Sequence, residues 1–219
     1  MCGRYTLTLP PDLLAEAFGL DDVPDLEARY NIAPTQPVPV VRRLRPGGPR
    51  QLDLLRWGLS LAPAEGARGS GPIINARSES VATRSAFRDA YRRRRCLIPA
   101  DGFYEWADGP KPRQPFHIKR EDGRPLALAG LWEPPEKDTP ASCVILTTEP
   151  NELLRPIHDR MPVIVDPGDF DRWLAPEPGD AAALSAILRP YPAAALSVRA
   201  VGPTVNRAEN DGPACLDPA

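Results

Sequence analysis

The chain has 219 residues, enough for one sizeable domain or two small ones around a real buried core. Its formal net charge of −2 excludes a globally basic nucleic-acid binder but leaves room for a local cationic groove. Only Lys111, Lys119 and Lys137 among its 27 basic residues are lysines, and it carries 29 prolines. That bias makes arginine abundance uninformative and arginine placement the thing to read.

The N-terminus has no basic segment followed by an apolar run, so neither a secretory signal nor a lipoprotein cysteine is expected. Residues 4–9 alternate as a strand does, and Pro10-Pro11-Asp12 opens a short helix, Leu13 to Phe18, closed by Gly19. Arg29 to Thr35 reads as a proline-bounded loop leading into a strand, Val38 to Arg42, and Arg45 to Pro49 as a turn. Leu52 to Leu59 predicts another strand, followed by a flexible surface loop over 62–72.

A helix is expected from Ser80 to Arg95, with Val81, Ala86, Phe87, Ala90 and Tyr91 on one face. Its closing run, Arg92 to Arg95, complements the C-terminal dipole and needs no phosphate to explain it. Short strands follow at 96–99, 102–106, 116–119, 126–132, 142–148, 161–165 and 196–201. A helical turn is expected at 151–155, and helices at 170–174 and 181–188. Many short strands, few helices and no repeat or linker predict an α+β fold, a single domain over 1–219 with a curled antiparallel-rich sheet or open barrel.

Cys2, Cys96, Cys143 and Cys215 are widely spaced, without a CxxC pair, and the chain has two histidines. Neither a zinc site nor a disulfide framework is expected, and no metal or other cofactor. No apolar stretch approaches the ~18 residues of a membrane span, so a cytoplasmic location is expected. A monomer is expected as well.

The unusual cysteine is Cys2. If Met1 is trimmed, one residue carries both a free α-amine, ordinarily near ~7.7–8.0, and a thiol near ~8.5. An aminothiol attacks one aldehyde twice, first as an imine and then as a five-membered thiazolidine, which no internal cysteine can do. Such a nucleophile needs a carboxyl group, a proton shuttle and a group to hold the carbonyl. His158, in Ile157-His158-Asp159-Arg160 ahead of an apolar strand, suits proton transfer near neutral pH. Glu105 lies between Tyr104 and Trp106, where desolvation raises a carboxyl. Asn75, between Ile74 and Ala76, can orient an amine or carbonyl oxygen, although a turn would use the same residue. His117 reads as an ordinary strand residue.

Taken together, the stretches MCGRY at 1–5, RYNIAPTQ at 29–36, WGL at 57–59, NARSE at 75–79 and RRCLIPADGFYEW at 94–106 resemble the SRAP family of abasic-site processing proteins. PFHI at 115–118, LAGLWE at 128–133, ILTT at 145–148, IHDRMPVI at 157–164 and NDGPAC at 210–215 continue the resemblance in order. It implies capture of the ring-opened aldehyde of an abasic site in single-stranded DNA as a thiazolidine crosslink that shields the lesion. Carried over by motif, Cys2 is the nucleophile, Asn75 positions it, Glu105 is the acid/base group and His158 promotes ring opening or imine chemistry. Arg77 and Arg160 would grip phosphates, with Arg4 and Thr148 as further contacts, and Trp57 and Pro39 would form an apolar shelf for flanking bases. The chain departs from the pattern at Ser60-Leu61-Ala62-Pro63, where a second Trp is usual, and one stacking wall is then missing or supplied otherwise.

Guanidinium forks and aromatic faces grip a strand whatever its sequence, so binding is expected to be lesion-specific, sequence-indifferent and salt-dependent. Two other classes fit some of the same residues. One is a thiol peptidase, with Cys2 and His158 as nucleophile and base, that removes a short propeptide. The other is a non-covalent single-strand binder. Partners at the replication fork are not legible.

Overall fold

A computed structural model describes residues 2–59, 71–107, 109 and 111–219 of the chain. The loop expected over 62–72 lies, except for its last two residues, outside them. Strand β1 (Tyr5–Leu7) leads into helix α1 (Pro11–Phe18), which has a proline in its first turn. Gly19, at φ 61°, closes that helix in the left-handed conformation glycine adopts at low cost. Then come β2 (Arg29–Ile32), β3 (Pro37–Arg42), β4 (Gln51–Trp57), β5 (Asn75–Arg77) and α2 (Ser85–Arg93). Strands β6 (Arg95–Ala100), β7 (Gly102–Trp106), β8 (Pro115–Arg120), β9 (Leu126–Glu133) and β10 (Ser142–Thr148) follow. The remainder is β11 (Met161–Pro162), α3 (Phe170–Leu174), α4 (Ala181–Ile187) and β12 (Leu196–Ala200).

Two sheets result. One runs β12-β8-β7-β1-β2, antiparallel throughout. The other runs β10-β4-β3-β6-β9 and closes on itself, because β9 also pairs with β10. The curled, barrel-like sheet of an α+β fold is therefore what the chain builds. β10 is its pivot: Cys143 lies opposite Trp57 of β4 on one edge and Trp132 of β9 on the other. Farther along, β10 pairs in parallel with β5 and antiparallel with β11. A strand hydrogen-bonded at both edges and covered on both faces is apolar nearly throughout, and all seven β10 residues are buried. At Gly130 a Cβ would come 2.9 Å from Cys96 Sγ and 3.0 Å from the Val144 oxygen, so glycine lets β9 fit between β6 and β10.

Three expectations are corrected. Residues 29–32 form strand β2 instead of a loop, because long-range partners fix them. The Asp211 carboxylate accepts the N–H groups of Tyr30 and Asn31 at 2.6 and 2.7 Å, and pairs with Arg29. Helix α2 begins at Ser85, five residues late, after turns through 78–83. The strand expected over 161–165 shortens to two residues, its continuation held by a single bridge from Ile164 to Leu128.

Side chains alternate along β7, which matters for the site. Phe103 joins the main core, whereas Tyr104 joins a small cluster with Val201, Val205 and Cys215 on the outer face. Glu105 shares the inward side with Phe103. The C-terminal segment straps that outer face: Asn31 Nδ2 donates to the carbonyls of Val205, Arg207 and Asn210 at 3.2, 3.0 and 2.7 Å. All four cysteines are buried and free. No helix among the described residues is long and apolar enough to cross a membrane.

Candidate active site

Four stretches far apart in sequence meet where β5 of the barrel faces β7 of the other sheet. Cys2 precedes β1 and packs into the main core with no exposed surface. Asn75 opens β5, and its Nδ2 donates to the Cys2 carbonyl oxygen at 3.0 Å, fixing the residue through its main chain. Asn75 Oδ1 is buried with no hydrogen-bond partner among the described residues, which leaves an unsatisfied acceptor on the side chain that holds Cys2. Glu105 projects inward from β7 with 1% exposure. His158 sits ahead of β11, its ring Nε2 3.9 Å from Glu105 Oε2.

Burial dominates the electrostatics. It pushes the Glu105 carboxyl up to about 7, against the opposing amino-terminal charge, into the range of a group that exchanges protons at neutral pH. Burial also pushes the Cys2 thiol well up, and the nearby Glu105 charge adds to the effect. Cys2 is thus a thiol, not a thiolate, while the site is closed. Of the two titratable side chains His158 and Glu105, His158 is the more open, 16% exposed against 2%. Among the described residues no group of three His, Cys, Asp or Glu side chains is arranged to hold a metal ion.

A family model described as SOS response associated peptidase (SRAP) matches residues 1–208. The chain belongs to the SRAP family. The abasic site processing protein YoqW of Bacillus subtilis is 38% identical to it over 224 residues, 99% of either chain. The abasic site processing protein YedK of Escherichia coli is 31% identical over 227 residues, the whole of both. An X-ray structure of a protein from Bacteroides thetaiotaomicron superposes with a TM-score of 0.82 over both full chains, at 20% identity, and shares the fold.

The SRAP residues expected to hold DNA divide into two groups. Arg77, at the end of β5, is exposed. Arg160 lies beside His158, but its guanidinium is engaged by Glu79 at 2.6 and 2.9 Å and by the Thr147 carbonyl at 2.6 Å. Arg4 Nη1 donates to Asn31 Oδ1 and to the Val205 oxygen, each at 2.9 Å, and its guanidinium lies 5.9 Å from the Trp106 ring. It therefore ties the N-terminal segment to the C-terminal strap.

Trp57, Pro39 and Thr148 need correction. Trp57 has no exposed surface; its indole N–H donates to the Ile74 oxygen at 2.9 Å and its ring tilts against Tyr5 at 5.5 Å. Pro39 is buried within β3, opposite Leu54. Neither offers a base a face to rest on. Thr148 is 3% exposed and its hydroxyl donates to the Leu188 oxygen at 3.4 Å, which leaves little for a phosphate. Sequence reasoning attached no role to Glu79, although it closes the NARSE stretch and is the residue that occupies Arg160.

Proposed function

We propose that this chain processes abasic sites in DNA and does so covalently, with Cys2 as the capturing residue in single-stranded substrate. The observation that supports this reading most is the meeting of Cys2, Asn75, Glu105 and His158 from four separate stretches, with Asn75 on the Cys2 main chain and His158 within 3.9 Å of Glu105. The names of the abasic site processing proteins YoqW and YedK point to the same substrate.

The α-amine of Cys2 is locked in a peptide bond until Met1 is removed, so trimming comes first. The freed amine then adds to the aldehyde carbon of the opened sugar, giving a carbinolamine. Loss of one water, with the proton supplied to the departing hydroxyl, gives the imine. The thiol adds across the C=N bond, its proton passes to nitrogen, and the thiazolidine closes. One water leaves and no oxidant is required. A carboxyl near 7 both donates and accepts in these steps. In this reading His158 moves the sugar's hydroxyl proton during ring opening.

The test uses single-stranded DNA carrying one abasic site. The trimmed protein is expected to give an adduct that survives denaturation, its intact mass lighter by one methionine residue and one water than the translated chain plus DNA. Cys2→Ala, or an uncleaved N-terminal tag, abolishes it. A stable adduct that persists in Cys2→Ala excludes the thiazolidine. Peptide turnover without DNA favours the thiol peptidase instead, a reading that the buried, protonated thiol supports poorly.

A further inference from the structure

Arg160 makes two kinds of connection at once. Its Nη1 and Nη2 donate to Glu79 Oε1 and Oε2 at 2.6 and 2.9 Å, and Nη2 also donates to the Thr147 oxygen at 2.6 Å. The main-chain N–H of the same residue donates to His158 Nδ1 at 2.9 Å. A neutral imidazole that accepts at Nδ1 carries its proton on Nε2, the atom 3.9 Å from Glu105 Oε2. The Asp159 carboxylate also lies 3.1 Å from Nδ1, but it is 82% exposed and can turn into water. The main-chain donor therefore decides the tautomer.

Glu79 sits two residues beyond β5, whose first residue, Asn75, holds Cys2. Thr147 is the β10 residue opposite Arg77. The clamp on Arg160 thus joins the segment carrying His158 to the strand carrying Asn75, which no main-chain ladder does directly. We infer that Glu79 is a positioning residue: by holding both terminal nitrogens of Arg160 it fixes the 158–160 segment against β5 and keeps His158 Nε2 aimed at Glu105. The carboxylate is 53% exposed, so the pair adds little to global stability and its loss leaves the chain folded. Its worth lies in geometry, where a displacement of about 1 Å costs up to ~100-fold in rate.

This inference deepens the proposed reading and rests on it for its kinetic arm only. The chain has two histidines, so the imidazole nitrogens of His158 and His117 are resolved by 15N NMR of the trimmed full chain. The wild type is expected to show His158 with its proton on Nε2. Glu79→Gln is expected to average the two tautomers of His158 and leave buried His117 unchanged as a control on the fold. In single-turnover crosslinking at saturating DNA, Glu79→Gln is expected to slow adduct formation about tenfold or more, with affinity for intact single strands kept or increased. Wild-type His158 signals in Glu79→Gln overturn the inference. So does an unaltered or faster rate at saturation, as does lost affinity with the saturated rate intact, which would make Glu79 part of the grip. Absence of any adduct in the wild type sinks the proposed function, and the NMR arm still decides the role of Glu79.

Discussion

Glu105 is held in a place that suits chemistry and costs the fold. Burial carries its carboxyl from an ordinary 4.5 to about 7, so the folded chain binds that proton more tightly than the unfolded one. Its contribution is neutral at low pH. Stability falls as pH climbs from 4.5 through 7, and the full penalty applies above that. Glu105→Gln keeps the shape without the charge and is expected to unfold at higher denaturant than wild type at pH 8, by on the order of 3 kcal/mol, and indistinguishably at pH 4. The same variant is expected to slow crosslinking about 100-fold, measured on denaturing gels, since a positioned acid/base group contributes roughly that much or more. A variant less stable at pH 8 than wild type overturns this account of the site.

At the level of strands and helices, Arg95 shows how an arginine-rich run serves two ends. Arg92 and Arg93 are exposed at the end of α2, while Arg94 pairs with Glu133. Arg95 turns inward, 1% exposed, and donates to the carbonyls of Trp173, Tyr91 and Glu177 at 2.7, 2.7 and 3.1 Å, and also to that of Ala175. It fastens α2, β6 and α3 together. Arg95→Leu strands four carbonyls and is expected to cost about 3 kcal/mol in denaturant titration, with crosslinking at low temperature unchanged. The structural reading of the run was legible from its position at a helix end. That one member would be buried was not, because three of its four partner carbonyls lie some 80 positions downstream.

The same contrast runs through the other elements. Strands with their own alternation or apolar run, such as β8 and β10, could be read locally. β2 could not, since Asp211 and the C-terminal strap make it a strand. Cys2, Asn75, Glu105 and His158, which the structure brings together, stood out through motif and residue chemistry, whereas the burial of Trp57 and Pro39 depends on which face each strand turns inward. Neither alternation nor proline content tells that.

For the molecule as a whole, a net charge of −2 leaves binding to local cations. Arg77 is exposed, and Arg160 already faces a carboxylate. Arg77→Ala is therefore expected to weaken binding of intact single strands uniformly across sequences and to flatten the dependence of log affinity on log salt by about 0.7. Fluorescence anisotropy over a salt series measures both, and an unaltered slope removes Arg77 from the contact.

The strap over β2 also orders events in time. Arg4 is anchored on the Val205 oxygen, and Asn31 on the carbonyls of Val205, Arg207 and Asn210, partners 174 to 201 positions later in the chain. Strand β1 must likewise wait for β7 before its second edge is paired. Contacts of such long sequence separation form late. The start of the nascent polypeptide thus stays open during synthesis, and the segment around Cys2 is enclosed only once those later residues have folded over it.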